Sequence, residues 1–183
     1  MNSELKVAYL AGALDSDGWF TIHKNTKQSV NPTYSPKVGI NQCQIEAIQL
    51  AQELYGGKVL VIDYKDQDRY SPKPMFHWSS NAATIEQMLI ELIPHLRIKV
   101  RQAKVLLRLV KDIRVNHRGG KYNPHPASVV SFRESLWQEL RQFNHPSVAE
   151  TECVDLVKLN EDATGRTAQM ENVQNTAEMT VSV

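Results

Sequence analysis

The 183-residue chain predicts an α+β fold in the order αββαββα, with an extra helix near the C-terminus. Three observations predict it. Several segments repeat apolar residues every third or fourth position, the spacing of a helix with one buried stripe. Trp19–Asn25 alternates instead: Phe20 and Ile22 fall to one side and Thr21, His23 and Asn25 to the other, the spacing of a half-buried strand. Gly56-Gly57 and Pro94 stand where the period changes.

In chain order, residues 3–15 form the first helix, with Asn2 or Ser3 as its N-cap. Val7, Leu10 and Leu14 make one apolar stripe, while Ala8, Ala11, Gly12 and Asp15 make a second face of small residues. Two such faces need two packing partners, one close enough to be a second helix of the same kind. After the strand at 19–25 come a polar loop at 26–34 and a strand at about 35–42, with Val38 and Ile40 on the core side. Residues 45–55 place Ile45, Ile48, Leu50, Ala51 and Leu54 at helical spacing and stop at Gly56-Gly57. A β-branched strand at 58–64, a polar loop at 65–74 and a short strand at about 75–80 follow. A helix at 82–93 ends near Pro94, and a basic helix runs from about Arg97 to Val115. A loop at 116–126, rich in Gly, Pro, His and basic residues, leads to the extra helix at 127–143. Trp78, Trp137 and Phe143 read as core residues. The strands make an antiparallel sheet with one polar face, and the helices cover the other.

These elements bound a domain at 1–146, its core at about 3–115, followed by an acidic tail at 147–183. Residues 1–149 hold 19 Lys and Arg against 13 Asp and Glu, whereas residues 150–183 hold 2 against 7. A near-neutral total therefore hides a basic body. Between Arg97 and Lys121 stand nine basic residues and one acid, Asp112, a cluster that suits a polyanion or a solvated helix face. The two cysteines, Cys43 and Cys153, are too few for a disulfide framework. The six histidines lack the spacing of a zinc site. With no long apolar run, the chain is expected to be soluble and intracellular, in a bacterial or phage-infected cytoplasm or an organelle matrix.

The most informative segment is Tyr9-Leu-Ala-Gly-Ala-Leu-Asp-Ser-Asp-Gly18, where a small-residue helix ends in two carboxylates. A helix C-terminus carries partial negative charge, so acids there need an offset, for which a divalent cation is the first candidate. The bland alternative is a buried helix ending in an Asx-type turn, with Gly18 as a left-handed cap. The run Leu10–Gly18 resembles the LAGLIDADG motif of homing endonucleases. Two further segments extend the resemblance over about residues 5–115. Val38-Gly-Ile-Asn-Gln42 ends a strand in a polar residue, and Leu92-Ile-Pro-His-Leu-Arg-Ile-Lys99-Val-Arg-Gln-Ala103 is similar to the family's lysine-bearing segment.

The resemblance implies the single-motif LAGLIDADG fold, with an antiparallel sheet forming a DNA-binding saddle. It implies Asp17 as the metal-binding carboxylate, with the Ser16 carbonyl near the metal. Gln42 would position solvent, and Lys99 would stabilise charge or organise the attacking water. Asp15 sits at the motif's other acid, with capping or packing as the alternative to ligation. Mg²⁺ is the implied cofactor, with Mn²⁺ or Ca²⁺ able to substitute for binding, because oxygen donors suit hard cations. One motif supplies one Asp17, so a complete site needs a C2 homodimer joined through Ala8, Ala11, Gly12 and Asp15. The target would then be long, double-stranded and roughly palindromic DNA. Candidate DNA-binding residues are Thr21, His23, Asn25, Ser35, Lys37, Lys58, Arg69, Lys73 and His77. The alternatives are an RNA-binding intron maturase and a non-cleaving DNA-binding regulator of the same fold.

Overall fold

The computed structural model describes residues 2–26, 31–62, 74–117 and 124–144. Helix α1 (Ser3–Asp17) runs directly into strand β1 (Gly18–Asn25), which pairs with β2 (Thr33–Gln42). Helix α2 (Glu46–Tyr55) leads to β3 (Lys58–Ile62), and β4 (Met75–Ser79) follows. Helices α3 (Ile85–Leu92), α4 (Val100–Val115) and α5 (Ala127–Phe143) complete the fold. The four strands form one antiparallel sheet in the order β1-β2-β4-β3.

The expected αββαββα order and α+β class are present, with the extra helix as α5. Several boundaries differ from expectation for physical reasons. Helix α1 extends through Asp17 because its last turn gains partners from elsewhere in the chain, described below. Strand β2 begins at Thr33, inside the expected loop, because Asn25 finds Thr33 across the ladder. Helix α4 starts at Val100, not Arg97, because residues 97–99 form a turn held by Asp15. Helix α3 starts at Ile85, after a turn in which the Asn81 side chain accepts from the Ala83 amide at 3.1 Å. The end of the expected strand at 63–64, the centres of the loops and the tail beyond 144 lie outside the described residues.

The inner face of the sheet carries Phe20, Ile22, Val38, Ile40 and Trp78, all buried against Leu10 and Leu14 of α1 and the apolar faces of α2 to α4. Burying one such large side chain is worth roughly 1.5–3 kcal/mol. Trp78 is fully buried, and its Nε1–H donates to Gly56 O at 2.8 Å. Gly56 and Gly57 stop α2 at φ 68° and 98°, the left-handed region that glycine enters without penalty. Trp137 and Phe143 pack at the margin of the core.

Helix α5 closes the β1 edge through polar contacts. Lys24 reaches Glu134 at 2.7 Å and lies 4.5 Å from the centre of the Trp137 ring. The Tyr34 hydroxyl donates to the same carboxylate. One residue earlier on α5, buried Arg133 donates to Asp112 Oδ2 at 2.6 Å and to Asn116 O at 3.0 Å. Among the described residues, no helix is long and apolar enough to cross a membrane.

Candidate active site and nucleic-acid interface

Three segments far apart in sequence meet at the C-terminal end of α1. The exposed carboxylate of Asp17 accepts from Gln42 Nε2 at 2.8 Å. Gln42 lies two residues past Ile40, the partner of Gly18, so its side chain extends beyond the start of β1 toward the helix end. Lys99, from the turn before α4, donates its ammonium to Leu14 O at 2.9 Å, Ser16 O at 3.2 Å and Gly18 O at 2.6 Å. Leu14 and Ser16 belong to the last turn of α1, where carbonyls carry partial negative charge and a cation is the favoured partner. Burial lowers the Lys99 pKa, while the charges of Asp15 and Asp17 oppose the shift.

Asp15 turns the other way. Its carboxylate is buried and accepts from the backbone amides of Arg97 at 2.6 Å, Ile98 at 3.2 Å and Lys99 at 2.9 Å. These amides open α4, whose Lys99 N-cap makes no side-chain cap of its own. The negative end of α1 thus meets the positive end of α4, with Asp15 capping the second helix across space. Backbone amides therefore offset the charge of Asp15 within the chain, while the Asp17 carboxylate stays exposed beside Lys99 and Gln42. The alternative of Gly18 as a left-handed cap is corrected, since its φ is −80°. Glycine is required because a Cβ there would lie 2.6 Å from Leu14 O.

The small-residue face also needs correction. Ala11 and Asp15 are buried within the chain and cannot form an outer face. The outward face of α1 carries Leu5 and Tyr9, more than half exposed, together with Ala8 and Gly12. A Cβ added to Gly12 would meet nothing within 4 Å.

The outward face of the sheet gathers the expected reading residues. Cross-strand partners share a face, and the register pairs Thr21 with Lys37 and His23 with Ser35. Asn25 has the same parity on β1, and Lys58 and His77 face the same way on β3 and β4. Arg69 and Lys73 lie outside the described residues. The part of the basic cluster that is described lies on α4 and the turn before it, where Arg108 pairs with Glu139 at 2.8 Å and Arg114 with Glu86 at 3.3 Å. Sequence reading passed over Trp19 and Asn41, which face outward beside the Asp17 end. Their signal was present in the alternation, because Trp19 has the parity of Thr21 and Asn41 that of Lys37.

No protein-family model and no curated protein matches the sequence. Solved structures match the fold. The homing endonuclease I-CvuI, crystallised with the I-CreI target in 2 mM Mg with the DNA not cleaved, superposes at a TM-score of 0.59 and 20% identity, covering 76% of this chain and 82% of that one. The archaeal intron-encoded homing endonuclease I-Vdi141I, complexed with DNA, superposes at 0.60 and 15% identity, covering 79% and 87%. The LAGLIDADG homing endonuclease I-GzeII, in complex with a DNA target, superposes at 0.50 and 11% identity over 75% of this chain and 43% of that one.

The chain has the LAGLIDADG homing endonuclease fold.

Within this LAGLIDADG fold, the run Leu10–Gly18 forms the second half of α1 and its junction with β1. Two of its residues reach outward in different ways, Asp17 through its carboxylate and Gly12 through open space beside its backbone.

Proposed function

We propose that the chain is one protomer of a homodimeric, divalent-metal-dependent endonuclease that cuts both strands of a long, roughly palindromic DNA site. The observation that carries this reading is the convergence of Asp17, Gln42 and Lys99 at one helix end, beside a polar sheet face. The LAGLIDADG fold supports it, since I-CvuI and I-Vdi141I of that fold are homing endonucleases crystallised with DNA.

The donors fit a hard cation. Asp17 offers an exposed carboxylate and Ser16, an exposed residue, a carbonyl that it shares with Lys99; both are the oxygen ligands that Mg²⁺ prefers. Among the described residues, no group of three or more His, Cys, Asp or Glu could hold a metal within one chain. A second copy would bring a second Asp17, and the outward face of α1, with Leu5, Ala8, Tyr9 and Gly12, supports a helix-to-helix contact that would do so. A bound divalent ion would supply charge stabilisation at the phosphate. Gln42 holds the Asp17 carboxylate in place through Nε2, which leaves its amide oxygen to position solvent. Lys99 supplies a fixed positive charge against the negative charge that develops on the phosphate, and burial makes its proton easier to give up. Outward Thr21, His23, Asn25, Ser35, Lys37 and Lys58 would contact bases and phosphates.

The test is cleavage of a randomised duplex library with Mg²⁺, alongside an Asp17→Asn control. Recovery of a two-fold-related consensus, cut on both strands by the wild type alone, is the expected result. Enrichment of bound duplexes without cutting would replace the enzyme with a regulator. Preference for structured intron RNA over any duplex would replace it with a maturase.

A further inference from the structure

The outward face of the sheet holds one polar pair that is already joined. Asn41 and His77 are direct partners across β2 and β4, and His77 Nδ1 lies 2.5 Å from Asn41 Oδ1. A carbonyl oxygen can only accept, so Nδ1 is the donor in this contact, and in that tautomer Nε2 is left as an acceptor. The Asn41 amide keeps its NH₂ as a donor. The pair thus presents one donor and one acceptor side by side.

The ring is also held from behind. Trp19 stacks on His77 with centroids 6.0 Å apart and planes at 20°. It reaches across the sheet because the intervening position is Gly39, where a Cβ would lie 2.3 Å from Trp19 Cζ2. On the far side of His77, its partner on β3 is Leu60, an exposed apolar residue. Across three strands the row reads Asn41, His77, Leu60, or donor, acceptor, apolar. Asn41 directly precedes Gln42, so this row lies at the end of the reading face nearest Asp17.

We infer that Asn41, His77 and Leu60 form a composite reader of one A·T base pair close to the cleavage centre, an inference that rests on the endonuclease reading above. In the major groove adenine shows an N7 acceptor beside an N6 donor, and thymine shows a methyl group. Asn41 donates to N7, His77 Nε2 accepts from N6, and Leu60 covers the methyl. Guanine shows two acceptors and would face the His77 acceptor with another; cytosine shows only a donor. Lone surface polar residues sample several geometries, whereas this pair is fixed by its mutual bond, the Trp19 stack and the ladder. Its selectivity is therefore built before DNA arrives.

The experiment is a binding selection with the full chain, followed by removal of single groups from the selected site. The bound consensus should hold an A·T pair of fixed orientation at one inner position of each half-site. Replacing that adenine with 7-deazaadenine, which lacks N7, or with purine, which lacks the N6 amine, should each weaken wild-type binding about fivefold, part of the discrimination of a bidentate contact. Replacing thymine with uracil should weaken it by a smaller factor. The N7 effect should vanish in Asn41→Ala, the amine effect in His77→Phe and the methyl effect in Leu60→Ala. The wild-type measurements need no variant to fold. A consensus with no inner A·T pair sensitive to these deletions overturns the inference and leaves the endonuclease reading standing. So do deletion effects that persist unchanged in the three variants. Failure to select any duplex overturns both.

Discussion

Asp15 and Asp17 are two residues apart, yet the fold gives them different work. Asp15 is buried and saturated by three backbone amides, while Asp17 is exposed and held by Gln42. Asp15→Ala should therefore act on stability, costing about 3 kcal/mol through lost charge-assisted hydrogen bonds and amides left unpaired. Urea unfolding measures this. Asp17→Asn should change stability by less than about 0.5 kcal/mol, as an exposed substitution does. It should lower cleavage by at least roughly a hundredfold, the scale of losing a key electrostatic group. A cleaving Asp17→Asn protein would remove Asp17 from the site. The motif pointed to both acids, but their division of labour depends on a turn 82 residues further along the chain. No local spacing carries that information.

At the scale of elements, α5 is docked by charge as much as by apolar area. Arg133 joins it to Asp112 of α4 at 2.6 Å, with both side chains largely buried. Arg133→Met should cost about 3–5 kcal/mol, because Asp112 is left buried without its partner; thermal and urea unfolding report it. The same helix should respond to acid. Burial, and then the Arg133 charge, lower the pKa of His125, which lies 3.1 Å from Arg133. The native state favours the neutral ring, so the unfolded chain takes up a proton first as pH falls below 6.5, and stability held above that pH is lost through the window below it. Bonds from Lys24 and Tyr34 lower the pKa of Glu134. Its contribution is likewise present above the ordinary carboxylate pKa and lost as pH falls through the lowered value. The signs agree, so the melting temperature should fall on acidification. His125→Asn should flatten the upper part of that fall and Glu134→Gln the lower part. A pH profile unchanged in both variants would show that α5 does not titrate. The apolar period revealed this helix in the sequence, whereas its ionic anchors come from β1, β2 and α4.

For the whole molecule, the question is what covers the outer face of α1. Glycine within a helix costs roughly 0.5–1 kcal/mol relative to alanine, and nothing among the described residues fills the space beside Gly12. Gly12→Ala should therefore stabilise the isolated protomer by about that amount, yet weaken self-association by holding two α1 helices apart. Thermal unfolding of dilute protein and sedimentation equilibrium measure the two effects separately. Stabilisation with unchanged association would place the interface elsewhere.

The resemblance, and not spacing, pointed to Asp17, Gln42 and Lys99; local pattern alone determined the α+β class, the αββαββα order and the inner face of the sheet. Each of these three depends on short-range chemistry: a period of two or 3.6, and a glycine pair that ends a helix. Tertiary structure alone decided that Asp15 caps α4, that Lys99 serves as the cation at the end of α1, and that Ala11 faces inward. It also decided that Asn41, His77 and Leu60 stand in one row with Trp19 behind them. The physical reason is common to all four. Each partner is a backbone group or side chain brought in by another element, and its position follows from the ladder register and helix packing, which no single segment encodes.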